Sequence, residues 1–139
     1  MNRYVLDASV GLSWFVDRPV APDAEHARQL LTTGWTARVP AIWQLEMLNG
    51  FVKAERRRSL SGNEVDKSFV EMQRLLATSV RLDAGLVLLE DTLMLSRSLQ
   101  VTSYDASYIE LAAREGLPLA TLDKGLRSAA VKAGVALLT

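Results

Sequence analysis

The chain has no cysteine. That excludes disulfides, thiolate nucleophiles and iron–sulfur or cysteine–zinc centres, and it fits a reducing compartment. Histidine is nearly absent. His26 stands alone in a polar stretch beside Glu25 and Arg28, where it reads as a solvated helix residue. One histidine gives a paired-histidine nuclease, or a Ser-His-Asp triad with a second base, little to work with. An excess of either charge is missing too, since 16 Lys plus Arg balance 16 Asp plus Glu. The chain is therefore no basic arm that holds nucleic acid by bulk electrostatics, and any contact with a polyanion must be local. No apolar run approaches the roughly 20 residues of a membrane span, and the sequence starts directly on a strand without a basic leader and apolar core. The expectation is a soluble, cytoplasmic protein with no membrane association, whose acid–base chemistry runs on carboxylates or metal-bound water.

With 139 residues the chain reads as one domain over 1–139, long enough to bury about two thirds of the surface its unfolded form exposes. The pattern predicts a strand over residues 3–7, a helix through Ala8–Val16 and, after Pro19-Val20-Ala21-Pro22, a helix near Asp23–Thr33 capped by Asp23. A short strand at Ala37–Val39 leads through Pro40 into a helix ending at Arg56-Arg57-Arg58. Ser61 with Glu64 three residues on predicts a capping box for a helix reaching Thr78. A strand at Val80–Leu82, a helix over Leu86–Leu99 and a helix opened by Asp105 and closed by Gly116-Leu117-Pro118 follow. A fourth strand over Pro118–Leu122, a helix over Asp123–Ala133 and a last strand over Val135–Leu138 complete the chain. Strands alternating with helices imply an α/β fold, a three-layer α/β/α sandwich with a mostly parallel central sheet.

Four acids stand out against this frame. Tyr4-Val5-Leu6 breaks at Asp7 and Pro118-Leu119-Ala120-Thr121-Leu122 breaks at Asp123, which puts both carboxylates at the carboxyl ends of strands, where open α/β sheets bind ligands. Glu46 interrupts the apolar helix Ile42–Asn49 and shares a face with Ile42, Asn49 and Lys53, and Asp105 opens a further helix. Carboxylates drawn together repel and raise one another's pKa unless a cation neutralises them, and hard oxygen donors select magnesium or manganese over zinc. Each acid also has a structural reading. Asp7 and Asp123 fit helix N-caps, Thr102 through Asp105 fits a capping box, and Glu46 fits an ion pair with Lys53. Caps orient carboxylates, so both readings hold together.

Ser9, Asn49 and Thr121 are accessory candidates, placed to hold a carboxylate or a water or to satisfy a backbone amide. Lys124 and Arg127, beside Asp123, are the candidate phosphate contacts. Lys53 with Arg56, Arg57 and Arg58 reads either as a phosphate or partner contact or as a solvated helix end. Trp14, Phe15, Trp35, Trp43, Tyr104 and Tyr108 read as core or interface rather than as a base-stacking platform.

In order along the chain, Val5-Leu6-Asp7-Ala8-Ser9, Leu45-Glu46-Met47-Leu48-Asn49, Ser103-Tyr104-Asp105-Ala106-Ser107-Tyr108 with Leu111-Ala112, and Ala120-Thr121-Leu122-Asp123-Lys124 resemble the motifs of a PIN domain. More narrowly, the chain is similar to a VapC-type ribonuclease toxin of a toxin–antitoxin pair. The resemblance spans the whole length, and no acid of the set is replaced. It implies a magnesium- or manganese-dependent endoribonuclease that cleaves structured RNA. Asp7 and Asp105 would hold the metal, Glu46 and Asp123 would complete or orient the shell, and Ser9 and Thr121 match the family's accessory hydroxyls less closely. It also implies a homodimer and a cognate VapB-like antitoxin that lays a basic peptide across the groove, with Trp43, Met47 and Phe51 as its apolar contacts or as core. The competing functions are a catalytically silent PIN-like binding module and a phosphoaspartyl hydrolase with Asp7 as nucleophile. Ser9 stands where the latter usually wants its second acid.

Overall fold

A computed structural model describes residues 2–84 and 87–139. The short apolar run at the start forms strand β1 (Arg3–Leu6), followed by helices α1 (Ala8–Val16) and α2 (Pro22–Leu31), and then by strand β2 (Thr36–Val39). Helices α3 (Ile42–Arg56) and α4 (Gly62–Thr78) lead to strand β3 (Val80–Leu82). Helices α5 (Leu89–Leu99) and α6 (Ser103–Glu115) lead to strand β4 (Leu119–Ala120), and α7 (Lys124–Lys132) comes last. The strands pair in the order β3-β2-β1-β4, all parallel.

Strand alternation places the helices on two faces. The Tyr4 hydroxyl donates to the Ala27 carbonyl of α2 at 2.7 Å, whereas Arg3, pointing the other way, meets Glu115 of α6 at 3.8 Å. Helices α2 and α6 therefore lie on opposite sides of the sheet, with α1 against α2 and α5 against α6. This is the three-layer α/β/α sandwich that the alternation of elements predicts. The core is one cluster running through Tyr4, Val5, Leu6, Trp43, Phe51 and Tyr108. On the α6 face, Arg38 of β2 bridges Glu115 and Asp83, and Arg114 ties Asp83 to Glu110. The half-buried network fixes α6 across β2 and the end of β3.

Topology selects the place for a site. The chain runs from β1 outward to β2 and β3, then returns to lay β4 on the other side of β1. In open α/β sheets the crevice beyond the carboxyl ends at such a reversal is where ligands bind. Two glycines bring the helices bordering that crevice together. A Cβ on Gly11 of α1 would lie 3.0 Å from the Met47 sulfur, and one on Gly50 of α3 would lie 2.3 Å from a Leu12 methyl. Side chains at these positions would hold α1 and α3 apart.

Several local expectations are corrected. Strand β1 ends at Leu6, so Asp7 lies just beyond it at the N-cap position of α1. Asp23 does not cap α2. Pro22 is its first residue, where its missing N–H and fixed φ suit the helix, and Ala21 is the N-cap. Helix α5 starts at Leu89, and the predicted start at Leu86 lies outside the described residues. Asp105 is the third residue of α6 rather than its first, and only the Thr102 half of the capping box forms. The last strand reduces to a single parallel bridge of Leu137 to Leu119, because β4 offers only two paired residues. The Ser61–Glu64 capping box is present in both directions.

Candidate functional site

The parallel register brings the first contact together. Val5 pairs with Leu119 and Leu6 with Ala120, so the residues that follow, Asp7 and Thr121, meet just past the sheet's last paired residues. The Thr121 hydroxyl, 2% exposed, donates to Asp7 Oδ2 at 2.7 Å, and the Ser9 hydroxyl donates to the same oxygen at 2.5 Å. Both hydroxyls also work on the backbone. Ser9 Oγ accepts the Leu122 amide at 3.0 Å, and Thr121 Oγ1 accepts the Asp123 amide at 3.1 Å. The two accessory residues thus clamp the β1–α1 turn to the β4–α7 turn. Asp7 sits at an N-cap position but makes no capping bond, because its carboxylate is turned to the hydroxyls.

Asp123 does cap α7, with Oδ1 accepting the Leu126 amide at 3.0 Å, and this orients its carboxylate at the mouth of the crevice. Glu46 approaches from α3. It is held by Tyr108, which is fully buried and donates its hydroxyl to Glu46 Oε1 at 2.6 Å. Asp105 lies three residues before Tyr108 on the same face of α6. All four acids line one cleft of about 430 Å³, together with Ser9, Leu12, Asn49, Gly50, Lys53 and Arg57.

The electrostatics are those of carboxylates gathered in a part-buried cleft. Burial pushes the Asp7 carboxyl above its ordinary value against the pull of the Ser9 and Thr121 hydroxyls, and the Asp123 charge adds to the rise. Glu46 is raised by desolvation, opposed by the Tyr108 bond and reinforced by Asp7 and Asp105. Asp105 is raised by desolvation, then by Asp7 and Asp123. The charges of Asp7, Asp105 and Asp123 each raise another acid of the set, and none of the four makes an ion pair among the described residues.

A cation is what such a set accommodates, and the donor chemistry selects a hard one. Among the described residues no three acidic side chains are drawn in tightly enough to form a metal cluster by themselves.

Other expected residues divide. Asn49 lines the cleft on the Glu46 side. Lys124 and Arg127 do not line it. Lys124 is exposed at the start of α7, and Arg127 donates to the Thr121 carbonyl at 3.0 Å and reaches Asp23 at 3.9 Å. Arg127 therefore braces the turn rather than facing a ligand. Trp43, Met47 and Phe51 are buried, and the solvent face of α3 carries Leu45, Leu48 and Val52 instead. His26 is exposed on α2, with its ring 2.9 Å from the Thr139 carbonyl. Tyr108 is the residue that reading by composition misses, since an aromatic in an apolar helix reads as core. Its spacing from Asp105 was the available signal.

The sequence pattern of the PIN domain family matches residues 4–132. No curated protein matches the chain. Among solved structures, the crystal structure of PAE2754 from Pyrobaculum aerophilum is similar in fold, with a TM-score of 0.69 and 19% identity over 91% of this chain and 84% of that one.

Proposed function

Because the chain belongs to the PIN domain family, whose members are in general metal-dependent nucleases, we propose that it is a magnesium- or manganese-dependent endoribonuclease, the toxin of a VapBC-type toxin–antitoxin pair. The observation that carries this reading is the convergence of Asp7, Glu46, Asp105 and Asp123, none of them ion-paired among the described residues, in one cleft at the sheet's reversal point. A hard dication held there supplies Lewis acidity toward a phosphodiester and lowers the pKa of a water.

The chain's own residues do the rest. Asp7 and Asp105 are the ligands, with Glu46 and Asp123 completing or orienting the shell. Ser9 and Thr121 hold Asp7 in one orientation, and Tyr108 holds Glu46. Leu12 and Val16 add apolar lining to the cleft.

The same acids attract an Arg or Lys of a partner when metal is absent, which is the basis for a cognate VapB-like antitoxin across the groove. Leu45, Leu48 and Val52, exposed on α3, are apolar contacts beside it. A homodimer is part of the same reading. Cleavage of RNA that requires magnesium, with no hydrolysis of a phosphomonoester, supports the nuclease. Phosphomonoester turnover would point to the phosphoaspartyl hydrolase, and metal binding without any cleavage would point to a silent binding module. Co-expression with a small upstream reading frame, followed by light scattering and a cleavage assay, tests dimer and antitoxin. A monomer, or a complex that cuts as fast as the free protein, would contradict the corresponding part.

A further inference from the structure

The cleft is not acidic throughout. Helix α3 runs along it, and residues 46, 50, 53 and 57 share one of its faces. That face passes from Glu46, past Gly50 with Leu12 packed on it, to Lys53 and Arg57. A helix rises about 1.5 Å per residue, so the two cations stand about 10 and 16 Å along the axis from Glu46. The basic cluster Lys53, Arg56, Arg57 and Arg58 thus divides. Lys53 and Arg57 line the cleft, while Arg56 and Arg58 do not.

Neither lining cation makes an ion pair among the described residues, although other surface arginines find carboxylates, as Arg18 does with Glu64 and Arg28 with Glu25. Asp17 is the one acid at this end of the cleft, and it pairs with neither. Between the two ends Leu12 of α1 packs onto Gly50, and Leu12 and Val16 give the cleft its apolar lining there. A groove with a metal-suited acidic end, a shallow apolar middle and a free cationic end matches a polynucleotide. The strand's scissile phosphate sits at the acids and a phosphate further along it sits at the cations.

We propose that Lys53 and Arg57 form a phosphate-binding subsite for a flanking, uncleaved phosphate of single-stranded RNA, and so act as positioning residues that set the strand's direction through the cleft. This rests on the reading of the cleft as an RNA-cleaving site. It replaces Lys124 and Arg127 as the phosphate contacts. An exposed pair of cations contributes mainly by releasing counterions, at about 0.7 in the logarithmic salt slope for each phosphate contact to a single strand.

The test is fluorescence anisotropy of a short single-stranded RNA across a salt series with metal chelated, so that nothing is cut, alongside cleavage with magnesium. For Lys53→Gln/Arg57→Gln the salt slope is expected to shrink by about 0.7, the share of one phosphate. KM rises while kcat holds, as for a contact made equally in ground and transition states. Lys53→Arg/Arg57→Lys, which keeps both charges, restores the slope. Arg56→Gln/Arg58→Gln, matched in charge and in position on the helix end, behaves as wild type. Equal loss in the two glutamine pairs, an unchanged slope for Lys53→Gln/Arg57→Gln, or displacement of the RNA by polyglutamate of matched charge would overturn the subsite. A wild-type protein that cuts RNA while the Lys53/Arg57 pair leaves the slope unchanged sinks the subsite alone. A wild-type protein that neither binds nor cuts RNA sinks the nuclease reading, and the subsite with it.

Discussion

Removing one hydroxyl, by Tyr108→Phe, probes how the site is held. The Tyr108 hydroxyl donates to Glu46 Oε1 at 2.6 Å. That one bond joins α6 to α3. Phenylalanine keeps the ring and its volume, so packing changes little. A hydrogen bond to a charged acceptor is worth about 1.5–3 kcal/mol net. The lost desolvation of the hydroxyl offsets part of this. For a chain of this size each kcal/mol moves Tm by about 3–5 °C, so a fall of several degrees is expected.

The functional effect follows from Glu46. The Tyr108 bond is what opposes its rise, so without it the carboxyl rises further and the acid limb of the activity profile moves to higher pH. Loss of a group that orients a metal ligand costs about 10–100-fold in metal affinity. Isothermal titration with magnesium or manganese, thermal unfolding and a pH–rate profile measure the three effects. Unchanged metal affinity together with an unmoved acid limb would refute the role assigned to Tyr108, and a fall in Tm alone would leave it a structural bond only.

Asp7→Asn and Asp105→Asn are expected to raise the Tm of the metal-free protein, because each removes a charge that burial and neighbouring carboxylates disfavour, and calorimetry without metal checks this. The wild type follows the same sign. Asp7, Glu46 and Asp105 are raised in the folded state, so it binds more protons than the unfolded chain between the ordinary carboxylate value and the raised ones. Their contribution is present below that window and lost as pH rises through it. Metal-free melting curves should show stability falling across that range and magnesium reversing the fall. Thr121→Val keeps shape but strips Asp7 of one donor and the Asp123 amide of its acceptor; a loss of about 1–3 kcal/mol in denaturant unfolding is expected, with reduced cleavage. Gly50→Ala gains about 1 kcal/mol of helix propensity but drives a methyl into Leu12, an overpacking cost of about 1–3 kcal/mol; net destabilisation is expected, and Leu12→Ala in the same chain should relieve the clash.

Much of this was legible because the informative residues obey local rules. Val5-Leu6-Asp7 announces a strand that ends on an acid, and Ser61 with Glu64 announces a helix start; both are satisfied within a few residues of chain. Placing Asp123 beside Asp7 needed only two strands ending at the same edge of the sheet, which parallel pairing supplies. What failed depends on how elements rotate against one another. Lys124 and Arg127 neighbour Asp123 in sequence, but α7 turns Arg127 onto the Thr121 carbonyl, whereas the more distant Lys53 and Arg57 face the cleft because α3 lies along it. For Trp43, Met47 and Phe51 the sequence left interface and core both open, and the packing of α3 makes them core. Val135–Leu138 has the composition of a strand, but β4 is too short to pair with more than one of its residues.

That the four-carboxylate cleft cuts RNA with the help of a hard dication is tested most directly by one titration. Purified protein is stripped with chelator, magnesium is added back in steps, and RNA cleavage is followed for wild type, Asp7→Asn and Asp105→Asn. Cleavage absent without metal, restored by magnesium in the wild type and abolished in both folded variants is the expected result. Cleavage that persists in chelator, or that either variant retains at the wild-type rate with magnesium present, would contradict it.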